Sequence, residues 1–360
     1  MDPKNIRQLP MFFILGRPRS GTTLLSALFD AHPNVRIPPE FPIFLSLVQR
    51  FKRVRSWDEP AVRAFVEHIY TNNVFNHRTL ENLKVDRETL LANLTALGPE
   101  AGLADLLKMF NYSTFSLFPK REILMIGDKN PVYSIYIRHL FQVFPEARFV
   151  CITRDYRDNF ISMQNLADLK LEAPILSLQV TRWRFVAREF LKYKNQHPDR
   201  FHLIRYEDLV LHPEETLRAV CSFLQLPFDP GVFEFYRKKD ETHRIYPKEI
   251  VERIHKNLMT PVNSGRMGLW KAQLTPRQIR VADQVAGKYA DQMAYSREFP
   301  GFHLLLYLHT RPLAVYGILL FKLYQAGSCL PYQMSAWLSR RLMILVKVYH
   351  FFQSKKQSRG

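Results

Sequence analysis

Cysteine is sparse in this chain: Cys151, Cys221 and Cys329 are the only three in 360 residues, and no two stand at Cys-x-x-Cys spacing. A disulfide framework and a cysteine-bound zinc centre are therefore excluded as organising features, and a reducing compartment fits that usage. Acid is short as well. Asp and Glu number 33 against 51 Lys and Arg, a net charge of +18, which turns the search for partners towards anions: nucleic acid, anionic lipid, or a phosphate- or sulfate-bearing cofactor. The shortage is complete at the end of the chain. Residues 301–360 hold no acidic side chain, whereas Arg311, Lys322, Arg340, Arg341, Lys347, Lys355, Lys356 and Arg359 are basic. Long apolar runs are missing too. HLLLYL, PLAVYGILLF and RLMILVKVYHFF are each broken by charge before the ~20 residues that a spanning helix needs, and MFFIL near the start is shorter than a signal core. No export signal is expected, although Asn93-Leu-Thr and Asn111-Tyr-Ser would accept glycans in a secreted chain. Internal repeats and low-complexity tracts are absent.

What the chain does have is material for a core, with 47% hydrophobic and 13% aromatic residues. Met11 to Leu15 is an apolar run of strand length, and TLLSALFDAH after it repeats Leu24, Leu25 and Leu28 at helical spacing. ARFVCI from Ala147 and FHLIRY (Phe201 to Tyr206) read as further strands, followed by DNFISMQNLADL and HPEETLRAVCSFLQL as helices. Strands alternating with helices predict an α/β fold, a P-loop-like parallel sheet flanked by helices. Between Phe51 and Lys120 the pattern is mainly helical, as in VRAFVEHIY and LADLLKMF, and is expected to be an insertion shaping an acceptor pocket. The expected layout is one domain over residues 1–300, with a basic, apolar helical appendage over 301–360. That appendage either lies on an anionic membrane or docks on the core as a helical pair.

ILGRPRSGTTLL (Ile14 to Leu25) places a glycine-containing turn between a strand and a helix N-terminus, where free N–H groups and the helix dipole attract an anion. Thr22 and Thr23 add hydroxyls. Gly16 and Gly21 are spaced as in a phosphate-binding loop, yet Thr22 stands where a nucleotide triphosphatase has lysine, and the positive charge sits at Arg17 and Arg19 instead. TRDYRDNFIS (Thr153 to Ser162) also follows a strand, on the same sheet edge. Arg154 and Ser162 there are placed to grip a second anionic group.

Four blocks, GRPRSGTTLLSALFDAHPNVR, RFVCITRDYRDNFIS, IRYEDLVLHPEETLRAVCSFLQLPFDP and VNSGRMGLWKAQLTP, give the chain its resemblance to sulfotransferases that use 3′-phosphoadenosine-5′-phosphosulfate. The tyrosylprotein and bacterial branches are most similar. The resemblance implies that Arg19, Ser20, Gly21, Thr22 and Thr23 bind the 5′-phosphosulfate, that Arg154 and Ser162 grip the 3′-phosphate, and that Tyr206 lies beside the adenine. It also aligns Glu40, in RIPPEFPIF, with a catalytic glutamate acting as general base, and Lys129, in GDKNPVY, with a lysine that steadies the leaving group together with Arg19. No metal is required by this chemistry.

The departures are specific. Asn130 and Pro131 follow Lys129 where cytosolic small-molecule sulfotransferases place a catalytic histidine, and Asn263-Ser264-Gly265-Arg266 replaces their Arg-Lys-Gly contact to the 3′-phosphate. Gly265 and Trp270 are retained and Arg266 is the candidate substitute. His32, in DAHPN, reads as a helix-end residue. The expected activity is sulfuryl transfer to a hydroxyl, with a lipid, steroid or other apolar alcohol as acceptor, or else a protein tyrosine or phenol. Two other classes stay open: a Mg²⁺-dependent nucleotide phosphotransferase, and a peripheral membrane-binding protein with a degenerate nucleotide site. Nucleic acid is not an expected partner. The expected location is cytoplasmic, with peripheral attachment to the inner face of a membrane.

Overall fold

A computed structural model describes residues 3–41, 43–71, 83–164, 173–238, 258–335 and 337. Among them the strands β1 (Met11–Gly16), β2 (Val35–Arg36), β3 (Met125–Lys129), β4 (Arg148–Thr153) and β5 (Phe201–Arg205) form one sheet in the order β2-β3-β1-β4-β5. Every pairing is parallel. The alternation along β1 explains why both faces are covered. Phe13 and Leu15 join a core on one side with Phe44, Tyr133 and Phe149, while Phe12 and Ile14 join Leu25, Val150 and Ile152 on the other.

The helices are α1 (Thr22–Ala31), α2 (Phe44–Phe51), α3 (Glu59–Thr71), α4 (Arg87–Thr95), α5 (Leu103–Ser113), α6 (Ile137–Val143), α7 (Tyr156–Gln164) and α8 (Leu176–Gln196). They continue with α9 (Tyr206–Leu211), α10 (Pro213–Leu224), α11 (Trp270–Gln273), α12 (Pro276–Ala286), α13 (Lys288–Gln292) and α14 (Leu304–Gly327). The expected strands at β1, β4 and β5 and the helices that follow them are present. The helices α3, α4 and α5 fall within residues 51–120, and residues 165–169 of the expected helix lie outside the described residues.

One strand lies outside the expected set, and one expectation is corrected. Lys129 ends β3, a strand whose sequence MIGDK carries Gly, Asp and Lys and so lacks a strand-like apolar run, although all five residues are buried. The correction concerns the tail. α14 is one continuous 24-residue helix with mean hydropathy 1.5 in its most apolar window, long and apolar enough to cross a membrane by length and composition. Arg311 and Lys322 interrupt the apolar text without interrupting the helix, and Pro312 sits inside it. It is partly docked: Gly317 is buried, and a Cβ there would come within 2.8 Å of Leu178 Cδ1 on α8. RLMILVKVYHFF and the cations from Arg340 onwards lie outside the described residues.

Candidate active site

Sheet register sets the site. Ile14 pairs with Lys129 and Gly16 with Ile152, so β1, β3 and β4 deliver the glycine loop, Lys129 and Arg154 to one carboxyl-end rim. The loop itself is tightly built. Gly16 has no room for a side chain, since a Cβ would meet Thr22 Cγ2 at 2.5 Å and the Ile152 carbonyl at 2.8 Å. Gly21, the N-cap of α1, has φ +97°, and a Cβ there would lie 2.6 Å from Tyr206 Cδ2. Arg19 adopts φ 69° without being glycine, a local strain of the kind found at functional sites.

The two loop arginines have different jobs. Arg17 is buried and turned inward: its Nε donates to Asn159 Oδ1 at 3.1 Å and its Nη2 to Gln179 Oε1. It ties the loop to α7 and α8. Ser20, fully buried, accepts from Asn159 Nδ2 at 3.2 Å, and the same amide nitrogen donates to the Pro18 carbonyl at 2.9 Å. Ser134 closes the other side, donating to the Gly16 carbonyl at 3.1 Å and accepting from its N–H at 3.0 Å.

Around this frame the candidate residues fall into two groups. Glu40, Lys129 and Thr23 form the first. Lys129 Nζ lies 2.5 Å from Glu40 Oε2 and 3.4 Å from Thr23 Oγ1, with the lysine side chain 2% exposed and the glutamate 39% exposed. A buried cation is thus matched to a carboxylate that opens towards solvent. Thr22 is buried beside Gly16. The second group is cationic. Arg19 Nε donates to Ser162 Oγ at 3.0 Å, Arg154 Nη1 donates to the Arg19 carbonyl at 3.2 Å, and Arg154 Nη2 donates to the Arg266 carbonyl at 2.5 Å. The Arg154 guanidinium lies over the Tyr206 ring, 4.7 Å from its centroid. Burial, then the charges of Arg266 and Arg154, push the Arg19 guanidinium down to about 10.

The remaining candidates are placed as follows. Arg19 reaches Ser162 on α7 through its Nε. Tyr206 is 2% exposed and its ring forms the floor under Gly21. Gly265 is exposed with its N–H turned to Asn263 Oδ1 at 3.3 Å, so of that pair only Arg266 meets the cluster. His32 is a helix-end residue as expected, buried against the Pro227 carbonyl at 2.7 Å.

Sequence reasoning missed the residues that hold the site from behind. Asp158 accepts from the backbone of Gly268 at 2.6 Å and of Trp270 at 3.0 Å, fixing the loop that carries Arg266. Arg157 pairs with Asp155 at 2.7 Å and stacks on Trp270 at 3.6 Å from the ring centroid, so RDYRD is a buried network and not a solvated one. Trp183 Nε1 holds the Arg154 carbonyl at 2.9 Å. Asn111 donates to Asp128 Oδ2 at 3.0 Å beside Lys129. The only signal in the text was a short helix, DYRDN, too polar for a surface that must pack on two loops.

The rim has the donors for a doubly anionic ligand. Arg19, Arg154 and Arg266 converge closely enough for their charges to act on one another, and Arg154 Nε is buried without a hydrogen-bond partner. An anion between them relieves both the mutual repulsion and the orphaned donor. No cluster of three His, Cys, Asp or Glu side chains suited to a metal occurs among the described residues.

Known proteins give the following matches. The family model described as "Sulfotransferase family" matches residues 10–230. A Drosophila melanogaster protein-tyrosine sulfotransferase is 26% identical over 78% of this chain and 50% of its own length. Protein-tyrosine sulfotransferase 1 of Danio rerio is 24% identical over 74% of this chain and 67% of its own, and that of Homo sapiens 25% over 75% and 65%. The chain therefore spans half to two-thirds of the length of these relatives. Among solved structures, the sulfotransferase domain of the Synechococcus PCC 7002 olefin synthase matches with TM-score 0.54 and 21% identity, over 80% of this chain and 95% of that one. The sulfotransferase domain from the curacin biosynthetic pathway gives 0.53 and 19%, over 80% and 98%. These two likenesses concern the fold.

Proposed function

Because the chain belongs to the sulfotransferase family, we propose that it moves a sulfuryl group from 3′-phosphoadenosine-5′-phosphosulfate to an acceptor hydroxyl. The observation that carries this reading is the Lys129–Glu40 pair, 2.5 Å apart, on the same sheet rim as the cluster of Arg19, Arg154 and Arg266. The donor, when bound, supplies the sulfuryl group and a leaving phosphate. The N–H groups at the start of α1, with Arg19, Ser20, Thr22 and Thr23, hold its 5′ end, and Arg154 and Ser162, with Arg266 beside them, hold its 3′-phosphate. Lys129, kept dry by burial, offsets negative charge that grows on the leaving oxygen. Glu40 faces solvent and takes the acceptor proton once Lys129 turns to the donor.

For the acceptor we favour a lipid, steroid or other apolar alcohol, supported by the aromatic core that takes up Phe41, next to Glu40 in the chain, and by the apolar outer face of α14. A protein tyrosine or phenol is the second reading, supported by the names of the curated relatives. Mass spectrometry of products from lipid, phenol and peptide pools separates the two. The donor assignment has its own test. 3′-Phosphoadenosine-5′-phosphate without metal is expected to raise the melting temperature more than ADP does. Equal stabilisation by ADP, or a requirement for Mg²⁺, refutes it. Glu40→Gln is expected to abolish turnover while nucleotide binding stays near wild type, and normal turnover removes Glu40 from its role.

A further inference from the structure

α14 is amphipathic in an unusual sense, because the face turned away from the protein is apolar. Its inner face is fixed. Gly317 meets Leu178 on α8, Gln325 Nε2 donates to the Ile135 carbonyl at 2.7 Å, and Gln49 Nε2 of α2 donates to the Gly327 and Leu330 carbonyls at 3.2 and 2.7 Å. The outer face carries Leu305, Leu308, Val315, Tyr316, Leu319 and Leu323, each between 47% and 71% exposed. These fall on one stripe of a helix about 36 Å long at 1.5 Å per residue. A continuous apolar stripe of that length marks an interaction surface.

Charge selects the partner. The cations on α14 are Arg311 and Lys322, both exposed, and residues 301–360 contain eight Lys and Arg with no Asp or Glu. A second copy of the chain would set these cations against each other, whereas a bilayer with anionic headgroups complements them and takes up the leucines. We infer that the outer face of α14 lies in the surface of an anionic membrane, as a monotopic attachment that buries one side of the helix in lipid and keeps the other bonded to α2, α8 and the turn after β3. A helix so held on one side is not surrounded by lipid and does not span. Its C-terminal end abuts the Pro131–Ile135 turn that directly follows Lys129, so attachment brings the catalytic rim close to the lipid. The attachment itself does not depend on the sulfuryl-transfer reading.

The test is sedimentation of the full chain with vesicles. With 70:30 phosphatidylcholine:phosphatidylglycerol the protein is expected in the pellet, with at least a tenfold loss of partitioning on pure phosphatidylcholine. Leu305→Glu combined with Leu319→Glu is expected to lower partitioning at least tenfold, while the circular dichroism spectrum, melting temperature and turnover of a water-soluble phenol stay near wild type. A wild-type chain that remains in the supernatant overturns the inference, as does a double variant that still binds. A wild-type dimer in ultracentrifugation that this double variant dissociates also overturns it, by assigning the stripe to self-association.

Discussion

Replacing Asp128 by Asn is expected to stabilise the protein, and increasingly so as pH rises. Asp128 lies in β3 next to Lys129, is 3% exposed, and accepts one hydrogen bond from Asn111 Nδ2 at 3.0 Å. Burial pushes its carboxyl up from 3.8 to about 7, against the opposing effects of Asn111 and Lys129, and Glu40 pushes it further up. A folded-state value above the unfolded one means that the native protein keeps a proton which the unfolded chain releases. Stability therefore falls as pH rises from about 4 to about 7, and the full cost is present above that range. A shift of about three units at 1.36 kcal/mol each sets a ceiling of about 4 kcal/mol. Asn is neutral at every pH and supplies a donor beside Asn111 Oδ1, which is buried without a partner. Unfolding free energies from urea melts of wild type and Asp128→Asn should thus differ by about 1 kcal/mol at pH 4.5 and by up to about 4 kcal/mol at pH 8. A difference that stays constant across this range refutes the reasoning, because it means the carboxyl does not titrate between the two states.

Two further outcomes follow from the same geometry. Gly21→Ala combines a left-handed φ of +97° with a Cβ 2.6 Å from Tyr206 Cδ2, and is expected to cost about 2–4 kcal/mol in thermal or urea melts and to weaken binding of 3′-phosphoadenosine-5′-phosphate by calorimetry. His68 is buried, with Nδ1 2.9 Å from Arg50 Nη1 and Nε2 3.2 Å from Ser46 Oγ, and burial followed by the Arg50 charge pushes its ring down from 6.5 to about 4. Its lowered value gives stability that is present above pH 6.5 and lost as pH falls towards 4, by at most about 3 kcal/mol, so His68→Gln should flatten the acid limb of the stability profile; an unchanged limb assigns the loss to other groups.

The sheet was legible wherever a strand was apolar on both faces. MFFIL and RFVCI announce β1 and β4 because each is sandwiched between helices and has no solvent face to encode, whereas β3 escaped notice. Its Asp128 and Lys129 are polar because they serve the site, so a functional position hid the structural one. The glycine loop was equally legible. Gly16 and Gly21 occupy positions where the backbone needs what only glycine supplies, and that need shows in the text. The supports were not. Asn159, Gln179, Trp183 and Ser134 act through contacts across 29 to 162 residues, and no local spacing encodes such a contact.

Arg17 and Arg19 show where local reading ends. Two residues apart in one loop, they look interchangeable as anion ligands, and only the fold separates them. Arg17 points at the amide oxygens of Asn159 and Gln179, on α7 and α8. Arg19, with φ 69°, reaches the same helix α7 one turn further on, at Ser162, and stands beside Arg154 and Arg266. The strain at Arg19 and the left-handed glycine at position 21 belong to one backbone twist before α1, which leaves one cation in the frame and puts the next in the arginine cluster. The inner cation braces the loop from within the fold, so an anion bound outside it meets a frame already fixed, and little ordering remains for binding to complete.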